Sequence, residues 1–191
     1  MNPESWWLYQ RSRLFVLIRR YDRAIEDLQQ VLRIDPDDVR AAGALGFAYG
    51  VLGRHRLAIE QFRRALRIKP DDSALLFNIG YSHHLLKEYE PAIQGFEGAL
   101  RINRKIDRAW YGMGLALASL GRHEESAQAL EQAAELQPMN GHAWFELGMA
   151  YHTLNRRNKL DEVIAHLDRF DPKMTQHLVR ATQKSAVAES Q

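Results

Sequence analysis

Few side chains in this 191-residue chain have the types and spacing needed for chemistry. It has no cysteine, which removes thiolate metal ligands, cysteine nucleophiles, disulfides and cysteine-linked lipid anchors together. His83 and His84 are adjacent, so on a helix they project in different directions, and no H-x-x-x-H pair exists to share a metal. The GMG at residues 112–114 follows no strand and reads as glycine for helix packing, not as a phosphate cradle. Aspartates and glutamates are dispersed and read as helix caps and surface charge, not as a paired acid and base. The expectation is a chain with no catalytic residues, no cofactor and no metal site. Recognition chemistry remains. Arg40, Arg108 and His142 fall in one column of a repeat, 68 and then 34 residues apart, and can hold a carboxylate or carbonyl of a partner. Solvated arginines on a helix are the plainer reading of the same column.

The elements that position these residues are set by a fixed interval. RIDPDD at 33–38 returns as RIKPDD at 67–72, and Pro36 and Pro70 are 70 − 36 = 34 residues apart. Two further intervals reach Pro138 and one more reaches Pro172; the intermediate site is Arg104, in RINRKID. A period of this size marks stacked helical repeats. Five copies cover about residues 5–38, 39–72, 73–106, 107–140 and 141–172, with a capping helix expected at about 174–186 and a frayed tail at 187–191.

Within each copy, apolar-plus-small pairs recur as Leu45-Gly46, Ile79-Gly80, Met113-Gly114 and Leu147-Gly148, followed by Tyr49, Leu117 and Tyr151. These spacings of three and four are helical. A second helix carries its own stripe, with Ala24, Ala58, Ala92 and Ser126 followed by Leu28, Phe62, Phe96 and Leu130. Gly53 and Gly121 suit a left-handed end to the first helix, and the pairs Asp37-Asp38 and Asp71-Asp72 are placed to cap the next. Copy one departs with Arg11 and Ser12 in the apolar-plus-small columns, and copy five with Asn155 for glycine. Copy five also has Asp161 and Asp168 where earlier copies have Ile and Leu, as suits a terminal repeat with nothing stacked beyond it.

These columns resemble the tetratricopeptide repeat, a helix-turn-helix unit of 34 residues. The resemblance implies an all-α fold, a right-handed α-solenoid of about five repeats closed by the C-terminal helix, in a single domain spanning residues 1–191. It also implies that the first helices line a concave groove where partner segments bind. The groove columns hold Tyr9 and Arg13 with Val16; Phe47 between Gly43 and Gly50; Phe77, Tyr81 and His84; Tyr111 and Leu115 with Ala118; and Phe145, Met149 and His152. Arg40, Arg108 and His142 stand at the groove edge. The lysine, arginine and asparagine clamp that some family members use on a free C-terminus is absent, its columns here holding Tyr9 and Arg13, Phe47, Phe77 and Tyr81. The family's asparagine ladder survives only as Asn78. The expected partner is therefore an apolar or aromatic segment of a protein. Substituting Phe77 or Tyr81 by glutamate is expected to spare stability.

Net charge is +2, which disfavours a nucleic-acid partner. The longest early apolar run, LFVLI at 14–18, is too short to span a bilayer, and MNPESWWLYQRSR lacks the pattern of a secretory signal. A cytoplasmic protein without stable membrane insertion is expected. Three functions fit: an adaptor, a chaperone or assembly factor for a secreted or membrane-complex client, and a self-associating scaffold joined through Trp6 and Trp7, for which a plain hydrophobic cap at the N-terminal end is the simpler reading. The groove is otherwise expected to be filled by the chain's own tail or a second copy.

Overall fold

The computed structural model describes residues 2–188, with side chains to residue 183. Among the described residues there are eleven helices and no strand: α1 (Pro3–Leu17), α2 (Tyr21–Ile34), α3 (Val39–Val51), α4 (His55–Ile68), α5 (Ser73–Leu85), α6 (Tyr89–Ile102), α7 (Asp107–Ser119), α8 (His123–Leu136), α9 (Gly141–Thr153), α10 (Arg157–Asp168) and α11 (Pro172–Ala188). They pair as five hairpins followed by α11. That last helix runs to Ala188, through two residues expected to fray; residues 189–191 of the expected tail lie outside the described ones.

Each first helix ends in the same turn. Arg19, Gly53, Lys87, Gly121 and Asn155, spaced by one repeat, all have left-handed backbone, with φ between 55° and 75°. The amide one residue further on reaches back five residues in every copy, as in Arg54 N–H to the Tyr49 carbonyl at 2.9 Å and Glu88 N–H to His83 at 2.9 Å. This is the Schellman geometry, which satisfies carbonyls that the helix end leaves open. The turn is thus fixed by its hydrogen bonds, and glycine is present at only two of the five positions.

Helix starts follow the acidic residues. Asp38 accepts from the amides of Arg40 and Ala41 at 3.0 and 3.1 Å, and Asp72 from those of Ala74 and Leu75 at 3.1 and 3.2 Å. Asn140 does the same for α9 and Asp171 for α11. Helix α7, after the copy without proline, begins with no side-chain cap.

The chain divides into two compact units, Met1–Asn103 and Arg104–Gln191. In the first, the core joins Leu28, Val31, Ala41, Leu45, Phe62 and Ile79. Helices α5 and α6 approach to backbone contact: a Cβ on Gly95 would stand 2.6 Å from Gly80 Cα, and one on Gly80 would stand 2.9 Å from the Ala92 carbonyl oxygen. In the second unit, Leu130, Ala133, Leu147, Val163, Leu167 and Leu178 form the core, and α11 packs on α9 and α10.

Copy one solves the same packing differently. Arg11, in the apolar column, makes a two-point ion pair with Asp27 of α2 (Nε to Oδ2 2.7 Å, Nη2 to Oδ1 2.6 Å). Ser12, in the glycine column, is buried and donates its hydroxyl to the Tyr9 carbonyl.

Candidate protein-binding faces

In the unit 1–103, the groove columns lie on α1, α3 and α5. Phe47 and Tyr81 occupy the same column one repeat apart and are 46% and 44% exposed, although each helix beneath them is held by a buried face. Phe77 is partly buried: it stacks on Tyr81 with centroids 6.1 Å apart and packs against the core ring of Phe96 at 5.8 Å. Phe77 therefore leans on the core as well as on Tyr81, which runs against the expectation that charge there would spare stability. Asn78 is partly buried beside them, and its carbonyl accepts from the Ser82 hydroxyl. His84 packs edge-on against Tyr89; burial lowers its pKa below the ordinary histidine value. Its neighbour His83 bonds Glu88 at 2.6 Å, so the two rings serve separate contacts.

Of the edge column, Arg40 is already engaged. Arg40 bonds Asp38 through Nη2 at 2.9 Å, and its guanidinium lies over the Tyr9 ring at 5.1 Å, tying α1 to the start of α3. Burial raises the Asp38 pKa, but the Arg40 guanidinium and the two capping amides outweigh it and hold the carboxyl below its ordinary value. Arg13 is exposed and reaches Gln10 at 3.3 Å.

In the unit 104–191, Arg108 and His142 are exposed at the starts of α7 and α9. Tyr111 is partly buried against the core, with Leu115 partly buried on the same helix. Burial pushes up both the Tyr111 hydroxyl and the nearby Glu146 carboxyl. The columns of copy five are engaged within the chain. Phe145 stacks on His177 of α11 at 4.8 Å, Met149 packs on the core, and His152 lines a cavity with Thr182 and Gln183 of α11.

One cluster lies outside the groove columns. The Tyr151 hydroxyl donates to Glu131 of the preceding hairpin, and Lys159 bonds the same carboxylate at 3.0 Å. Burial and then Glu131 push the Tyr151 pKa up to about 12, the opposite of an activated phenolate. Tyr49 and Gln29, three repeats earlier, bond in the same places at 3.0 Å. The recurrence makes this a joint between hairpins, and the recurring tyrosine column was its only signal in the sequence. No group of three His, Cys, Asp or Glu suited to a metal occurs among the described residues.

The family model described as tetratricopeptide repeat matches residues 9–73, 44–105, 103–136 and 111–159. The chain belongs to the tetratricopeptide repeat family. Solved structures with this fold include a MamA protein, 22% identical over 92% of this chain and 96% of that one, with a TM-score of 0.84. MamA 41-end from Desulfovibrio magneticus RS-1 is 20% identical over 95% and 98%, with a TM-score of 0.80. YrrB, described as a TPR protein with an unusual peptide-binding site, is 20% identical over 91% and 90%, with a TM-score of 0.78. At such identities the tetratricopeptide fold is what these proteins share with the chain. No curated protein matches it significantly. None of the described helices is long and apolar enough to cross a membrane.

Proposed function

We propose that this tetratricopeptide repeat chain is a protein-interaction adaptor that holds an apolar or aromatic segment of a partner protein against the aromatic face of α3 and α5. The observation that carries the reading is the half-exposure of Phe47 and Tyr81 in one column of neighbouring helices. A tyrosine or phenylalanine can bury about 150–250 Å², so each ring leaves on the order of 80 Å² for a partner. The bond between Arg40 and Asp38 argues against a partner gripped by a charged terminus. The peptide-binding site described for YrrB is consistent with this use of the fold. Copy five contributes less, since Phe145 already stacks on α11.

The test uses a peptide array displaying aromatic, aliphatic and acid-terminated segments, followed by titration of the best binder. Phe47→Glu and Tyr81→Glu are expected to weaken its binding about tenfold each. Both should keep the melting temperature within about 2 °C, as surface substitutions do. Gly80→Leu is the contrasting control: its side chain meets the Ala92 carbonyl and the Phe96 amide, both backbone, and should unfold the hairpin. Preference for acid-terminated peptides, or binding untouched by both glutamates, would overturn the reading.

A further inference from the structure

Helix α1 is amphipathic in the wrong direction. Its buried residues are Ser5, Leu8 and Ser12, two of them polar. Its exposed side carries Trp6 at 52%, Trp7 at 51%, Leu14 at 54%, Leu17 at 79% and Ile18 at 54%. At about 100° per residue these five fall within one arc of about 120°, with Pro3 on the same arc and Gln10 its only polar member. A helix whose outward face is richer in large apolar groups than its inward one is built to be covered.

We infer that this face joins two copies of the chain, through an antiparallel contact between α1 and its symmetry mate. The sequence of the face is self-complementary about the level of residue 12. A two-fold axis there sets Trp6 of one copy opposite Ile18 of the other, Trp7 opposite Leu17, and Gln10 opposite Leu14. Such a two-fold contact closes on itself and yields a dimer, not a fibre.

The area suffices. Half of each tryptophan ring supplies about 100 Å². The exposed parts of Leu14, Leu17 and Ile18 together supply about 200 Å² on the usual scale of side-chain burial. Two copies thus cover about 800 Å² of apolar surface. Apolar groups make up about two thirds of a homodimer interface, which puts the total near 1,200 Å², the lower end of stable interfaces. Trp7 is also pre-positioned, because the Arg11 guanidinium that pairs with Asp27 lies over its ring at 4.2 Å. The contact is separate from the α3 and α5 face, so either can fail alone.

Sedimentation velocity on the full chain from about 1 to 100 µM should show a monomer–dimer equilibrium. Trp6→Glu and Leu17→Glu avoid the Trp7–Arg11 stack; each should raise the dimer Kd at least about tenfold without moving the melting temperature of the dilute protein. Four results would sink the inference: a monomer throughout; a dimer indifferent to Trp6→Glu and Leu17→Glu; association lost on Phe47→Glu or growing beyond two copies; or α1-dependent binding to phosphatidylserine–phosphatidylcholine vesicles by a chain that stays monomeric.

Discussion

Lys87 carries a side chain through left-handed backbone that Gly53 and Gly121 adopt without a Cβ. Left-handed geometry costs a non-glycine residue about 1–2 kcal/mol, partly offset by the greater freedom of glycine in the unfolded chain. Lys87→Gly is therefore expected to stabilise the protein by about 0.5–1 kcal/mol in urea unfolding, and Gly53→Ala to destabilise it by a similar amount. At this scale the sequence was informative about position and blind to company. Two neighbouring repeat columns placed Phe47 and Tyr81, and Phe77 and Phe145, on one kind of face. They did not say that Phe145 would meet His177 of α11, or that Phe77 would lean on Phe96, because a column fixes the direction of a side chain and not what another element sets opposite it.

The first hairpin shows what that means for an element. Arg11 and Ser12 look like defects in the apolar and glycine columns, yet Asp27 on α2 turns the first into a two-point ion pair. The equivalents of Asp27 one, two and three repeats on are Gln61, Gly95 and Ala129, so the pair exists only in this hairpin. Arg11→Leu installs the residue of the other copies but leaves a buried carboxylate alone, and should cost about 2–3 kcal/mol in urea unfolding. Adding Asp27→Ala removes that stranded charge and should recover most of the loss. A double variant as unstable as the single one would show that the pair is not what holds α1 to α2.

Stability of the whole molecule against acid should fall in two steps. His84 has a lowered pKa because burial disfavours its charged form, so the unfolded chain binds a proton that the folded chain resists. Stability therefore declines as pH drops below about 6.5 and levels once the folded-state value is passed. Asp38 and Asp72 are opposed by burial but held below the ordinary range by Arg40 and Lys69 and by their capped amides. Their contribution is complete above about pH 3.9 and is lost as pH falls through the lowered values. Melting temperatures between about pH 8 and 3 check this: His84→Ala should flatten the upper step, and Asp38→Asn, which keeps the cap but cannot titrate, should shrink the lower one.

The sequence by itself determined the helical hairpin, its period, its caps and the columns that face inward, since each rests on local spacing and backbone chemistry repeated in tandem. Only the tertiary structure decided which departures were compensated, that α11 would claim the aromatic ring of the last repeat, and that α1 would keep its tryptophans outward. Those outcomes depend on which side chains from distant segments come within contact range, and residues 16 or 32 positions apart carry no local signal of one another.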